Sequence, residues 1–162
     1  MLNSLDLVII AVFAFVVVVE TKRGFGRAIF DFAALLVAVR GAHMLTDPLA
    51  GAVKLAANPS TNQAIIYGIS FLIIGGVLVF LGKLVYDTTL VSAETFDALL
   101  GAICGIGVGI ILCHALTRTL ALAAGPYVIP TIIANSALGS EFLNFESYHR
   151  LLETMYGFGR EE

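Results

Sequence analysis

Charge is what this sequence has least of. Only 13% of its 162 residues are Asp, Glu, Lys or Arg, while 59% are hydrophobic, whereas soluble domains average about 25% charged and roughly 45–50% apolar residues. The shortage excludes an ordinary soluble domain and predicts one membrane-embedded domain. Nor is there an excess of cations: nine Lys and Arg stand against twelve Asp and Glu, a net charge of -3. A chain with no basic footprint is not expected to bind nucleic acid. Cysteine is nearly absent. Cys104 and Cys113 lie nine residues apart in one apolar run, where helical periodicity sets them on opposite sides, so they should not pair. Histidine is as sparse: His43, His114 and His149 are scattered without ligand spacing, and zinc needs three or four converging ligands. No motif joins a nucleophile to a base and no phosphate loop is present. We therefore expect no enzyme, no catalytic residue, no metal and no cofactor. The N-terminus also lacks the basic segment and small-residue cleavage site of a signal peptide, so its apolar run reads as a retained helix.

What is present is a set of long apolar runs. The most informative covers residues 96–116, with Gly101, Gly105 and Gly109 at every fourth position. That spacing puts three small residues on one helix face, where a second helix can come close enough for dispersion contacts to hold the pair in lipid. Asp97 precedes the glycines by one turn and suits the first turn of a helix, where the dipole favours an acid.

The first span should cover residues 5–19, extended by Asn3, Ser4, Glu20 and Thr21. Asn3 or Ser4 can cap it, with Asp6 favouring the exposed N–H groups; the other reading of Asp6 is a carboxylate buried in the bundle with a partner. Residues 20–27 then read as a tight turn with Lys22, Arg23 and Arg27 as cations and Gly24 and Gly26 as glycines. Lys and Arg are enriched in cytoplasmic loops. The turn is thus a topology signal that also attracts anionic headgroups, or a docking loop for a partner protein, with Phe25 as an interfacial anchor. The second span should cover residues 28–45. In it Asp31 is one turn from Arg27, an i,i+4 pair, and Arg40 can snorkel outward at the opposite interface. Residues 46–48 should stop this helix, residues 49–57 should form a short interfacial piece, and residues 58–62 a turn. The third span should cover residues 64–86. Its Gly68, Gly75 and Gly82 recur by sevens, a seam for a partner other than the one met by the four-residue ladder. His114 and Arg118 sit one turn apart at the far end of the fourth span, which Gly125-Pro126 should end.

Three short motifs recur in a telling order: Leu5-Asp6, then Lys22-Arg23-Gly24-Phe25, then Phe96-Asp97-Ala98-Leu99-Leu100-Gly101 leading to Gly105 and Gly109. On these the chain resembles the CvpA family, small bacterial inner-membrane proteins named for a role in colicin V production, over residues 4–116. Three positions depart from the family pattern. Glu20 stands where glycine is frequent, Ala98 where arginine is usual, and Val108 where a basic residue is common. The resemblance implies a multi-span inner-membrane protein linked to toxin production or secretion and envelope homeostasis, with no reaction assignable to named residues.

The expected architecture is all-α: an integral membrane bundle of four transmembrane helices over residues 1–124, then an extracytoplasmic amphipathic tail over residues 125–162. In the tail Leu138, Phe142, Phe145, Tyr148, Leu152 and Met155 make one helical stripe. Glu146, Arg150 and Glu153 lie opposite it, Gly157 ends the helix, and residues 158–162 should be mobile. The first loop is expected in the cytoplasm and both termini outside it. Expected partners are the lipid bilayer, a membrane or envelope protein, and a second copy of the chain. The competing function is a small transporter or channel subunit with a pathway lined by Asp31, Arg40 or His114. A third, a membrane-embedded protease or transferase, rests only on relatives that carry protease domains.

Overall fold

The computed structural model describes residues 3–89, 96–125, 129–145, 147 and 149. Six α-helices and no strand occur among these residues. The first, α1 (Ser4–Arg23), starts because Asn3 and Asp6 cap each other: the Asn3 side chain accepts from Leu5 N–H at 2.6 Å, and Asn3 N–H donates to Asp6 Oδ2 at 2.9 Å. Only Gly24 separates α1 from α2 (Phe25–Ala52). The turn predicted over residues 20–27 is therefore a one-residue break. Its φ of +82° belongs to the region that favours glycine.

Pro48 does not stop α2, contrary to expectation. Proline removes one donor near the helix end, and the turn beyond it still closes, with Val53 N–H donating to the Leu49 carbonyl at 2.8 Å. Residues 49–52 thus end α2 instead of opening an interfacial piece, and residues 53–58 are not helical. The strap is held by Asn62, whose amide donates to the carbonyls of Ala50 and Val53 and whose Oδ1 accepts from Leu55 N–H at 2.7 Å. The predicted turn at residues 58–62 is the start of α3 (Pro59–Thr89). Asn58 Oδ1 accepts from Ser60 N–H at 2.9 Å, and proline at the first helical position lacks a donor the helix would leave unused. α4 (Asp97–Ala124) ends at Gly125 with φ +104°, as predicted.

Two short helices follow, α5 (Thr131–Ala134) and α6 (Ala137–Asn144). Ser136 caps α6 by accepting from Gly139 N–H at 2.8 Å. Phe145, left-handed at φ 52° and ψ 44°, ends it, so the single helix expected from Leu138 to Met155 is broken there. Glu146, Tyr148, Arg150 and residues 151–162, with the rest of that stripe and the expected stop at Gly157, lie outside the described residues.

Four helices are long and apolar enough to cross a membrane. α1, the shortest at 20 residues, is about 30 Å long, the thickness of a hydrocarbon core. Large apolar side chains point outward along them, with Phe15 69%, Leu72 70% and Phe80 60% exposed, which suits lipid as the surrounding solvent. Inside, α2 packs most extensively on α3 and α1 on α4. One core cluster joins Leu35, Ala38 and Ala42 of α2 to Tyr67 and Phe71 of α3 and Val108, Ile111 and Ala115 of α4. A second joins Leu5 and Ile9 to Cys113 and Ile133, with Leu138 and Phe142 against it, so α6 sits on the end of the bundle where α1 begins.

Candidate functional site

Two of the three motifs meet at the other end, where α1 turns into α2. Asp97 Oδ1 accepts from Phe25 N–H at 3.0 Å, so the acid expected in the first turn of its own helix is found there and ties the start of α4 to the start of α2. A side chain at Gly24 would collide with the Asp97 carboxylate. The glycine therefore serves both the backbone turn and the carboxylate's approach. The four-residue ladder then runs along α1. A Cβ built on Gly101 would lie 2.9 Å from the Glu20 carbonyl oxygen, one on Gly105 3.2 Å from Val17 Cα, and one on Gly109 2.7 Å from the Phe13 ring. At Gly101 and Gly105 backbone meets backbone, as the small-residue spacing implied, while Gly109 receives the Phe13 ring. The seven-residue seam of α3 has mainly a different partner: Gly75 faces Leu35 and Ala38, and Gly82 faces Phe30, all on α2, whereas Gly68 faces Thr119 of α4.

Asp31 does not pair with Arg27. Arg23 Nη1 lies 3.0 Å from Asp31 Oδ2 and 3.0 Å from Glu20 Oε1, because the single-residue break folds the end of α1 beside the start of α2. Both carboxylates are buried, at 3% exposure each. Glu20 Oε2, Asp31 Oδ1 and Arg27 Nε have no hydrogen-bond partner among the described residues. This cluster borders a cavity of about 210 Å³ with Phe15, Val108 and Leu112. Lys22 is exposed beside it.

Asp6 unites the two readings given for it. While capping α1, it is fully buried, and its Oδ1 accepts the Ser136 hydroxyl at 2.5 Å and Leu138 N–H at 3.0 Å. The carboxylate thereby fastens α6 to the first turn of the chain. Cys113 is buried and Cys104 half-buried, both free thiols.

Arg40 and His114 line one cavity of about 640 Å³ between α2 and α4, together with His43, Tyr67 and Arg118. Asp31 is not among its lining residues, so the three candidate pathway charges divide between two cavities. His114 Nδ1 is 2.7 Å from the Phe142 carbonyl, an acceptor only, so that nitrogen carries the proton. Its ring stacks on Phe145 with centroids 5.3 Å apart. Sequence reasoning missed Ser136, Tyr67, Asn62 and the pairing role of Glu20. The Glu20–Arg23 spacing of three was a readable signal for the last of these; the others depend on contacts between distant segments.

Two motifs that stand 72 residues apart in the chain, at Phe25 and Asp97, are therefore one structural joint. A family model, Colicin V production protein, matches residues 5–146, and the chain belongs to that family. No curated protein and no solved structure matches it.

Proposed function

We propose that this member of the colicin V production protein family is a non-enzymatic protein of the bacterial inner membrane. It supports toxin production or secretion and envelope homeostasis by organising partners or lipid around its bundle. The observation that carries the reading is the family match over residues 5–146. Support comes from where the scarce polar residues lie: Asp6, Arg23 and Asp97 are engaged in holding helices together. On this reading residues 22–27 face the cytoplasm, as Lys22, Arg23 and Arg27 favour, and both termini lie outside it. The exposed Lys22 then offers a contact for an envelope protein or a second copy.

The test is photocrosslinking in cells from position 22, paired with colicin V release from cells lacking the protein. We expect one or a few specific captured membrane or envelope proteins and a release defect restored by the wild-type chain. Purified protein that moved a defined solute by itself would overturn the reading. A small transporter or channel subunit is the second reading, favoured by the cavity that Arg40 and His114 share. Solute flux unchanged by Arg40→Gln and His114→Ala would dispose of it.

A further inference from the structure

The 640 Å³ cavity falls within the roughly 300–1,000 Å³ of small-molecule sites, and its lining is sorted by depth. Phe32, Leu36 and Ile110 line an apolar part, whereas Arg40 and Arg118 supply cationic groups, with His43 beside them, on the side nearer the end of α4. At about 1.5 Å per residue, Gly107 lies about 15 Å and Arg118 about 31 Å from the start of α4. With the first residue of α4 set at one edge of a hydrocarbon core about 30 Å thick, those are the depths of the bilayer midplane and of the opposite headgroup layer. The cavity thus spans one leaflet.

Among the described residues its charges are unanswered: no carboxylate lines it, and Arg40 and Arg118 form no ion pair. Cations gathered at the edge of a low-dielectric region call for an anion. A second observation points the same way: the Tyr67 side chain is 1% exposed, lines the cavity, and its hydroxyl has no hydrogen-bond partner among the described residues. Arg118 lines the same cavity. A buried donor without an acceptor beside an arginine is half of an oxyanion site.

We propose that this cavity holds one anionic phospholipid. Its phosphate is bound by Arg40 and Arg118 with the Tyr67 hydroxyl donating to a phosphate or ester oxygen, and one acyl chain lies along Phe32, Leu36 and Ile110. The remainder of the lipid stays in the bilayer. The inference rests on the membrane reading above and names the lipid class, but it does not depend on the link to toxin release.

The test uses the full chain in nanodiscs of phosphatidylcholine containing a minor fraction of phosphatidylglycerol, followed by extraction into detergent and native mass spectrometry. We expect one retained phosphatidylglycerol per chain, enriched over phosphatidylcholine. Arg40→Gln with Arg118→Gln should lower that enrichment about tenfold, and Ile110→Trp, which fills the apolar part, should lower retention of the lipid. Lys54→Gln, which removes a cation outside this cavity, should leave it unchanged. Free inorganic phosphate should not displace the lipid; displacement would mean a simple anion site and overturn the proposal. A photoactivatable phosphatidylglycerol, used on the wild-type chain alone, should label residues 32–43 and 107–118. Labelling spread evenly over the outward faces, or no enrichment in the wild type, would overturn it whatever the variants do. No enrichment in the wild-type chain, with colicin V release still dependent on it, would sink the lipid site and leave the proposed function standing.

Discussion

Replacing Asp6 by alanine should undock the C-terminal helix without melting the bundle. The carboxylate accepts three hydrogen bonds, from Asn3 N–H at 2.9 Å, Ser136 Oγ–H at 2.5 Å and Leu138 N–H at 3.0 Å. The first is a cap contact worth about 1 kcal/mol to α1. The other two cross to the α6 side, and hydrogen bonds to a charged group contribute about 1.5–3 kcal/mol each. Since they share one oxygen they will not add in full, and water will satisfy part of what is lost, so we expect about 3 kcal/mol of docking to disappear. The eight residues of α6 are too few to be helical alone. Amide exchange at residues 139–144 should therefore rise by roughly two orders of magnitude, at about 1.4 kcal/mol per tenfold. Exchange at residues 105–113, in the heart of α4, should change little. Asp6→Asn should fall between, because it keeps one acceptor oxygen but turns an NH₂ toward one of the three donors. Hydrogen exchange in nanodiscs measures all three proteins. Unchanged exchange in α6, or equal acceleration throughout α4, would refute the reasoning.

Three further outcomes are expected. Gly105→Leu should lower thermal stability in detergent far more than Ile111→Leu, because a Cβ added at position 105 would lie 2.9 Å from Glu20 Cβ and 3.2 Å from Val17 Cα. Overpacking of this kind costs about 1–3 kcal/mol, and equal melting of the two variants would contradict the α1–α4 contact. Arg23→Gln should destabilise by about 3 kcal/mol, since it strands the buried carboxylates of Glu20 and Asp31. Adding Glu20→Gln should restore part of that loss, and strict additivity in the double-mutant cycle would count against the shared pair. Finally, a cysteine introduced at Ser60 should react with an impermeant thiol reagent in intact spheroplasts; reaction only after permeabilisation would invert the proposed topology.

How far the sequence could be read depended on the range of each interaction. The four spans and the glycine faces were legible because a helix repeats every 3.6 residues, and Gly101, Gly105 and Gly109 declare their shared face without reference to any partner. Helix ends were read less well. Pro48 and residues 58–62 carry stop signals, yet Pro48 lies within α2 and Pro59 begins α3; the same residue type serves both ends of a helix, and only the capping bond from Asn58 distinguishes them. Asp31 was matched to Arg27 on local spacing, and a one-residue turn at Gly24 brought Arg23 instead. The clasp of Asp6 on Ser136 spans 130 residues, and no periodicity encodes such a contact.

This division separates residues that build the protein from residues left for it to use. Gly24, Asp97, Gly101, Gly105 and Gly109, on which the family resemblance chiefly rests, meet at the contacts among α1, α2 and α4. Substituting them should first deplete folded protein, and a lost phenotype in such variants says nothing about mechanism unless abundance is measured beside it. Arg40 and Arg118 belong to a different class. They line a cavity without a carboxylate among the described residues, at the end of the bundle away from the motif joint, where removing a like-charged neighbour relieves repulsion. Arg40→Gln should accordingly leave the bundle's stability unchanged or slightly raised while altering what it binds. A fall in melting temperature as large as that of Arg23→Gln, in the same detergent, would move Arg40 into the structural class and empty the cavity of its functional claim.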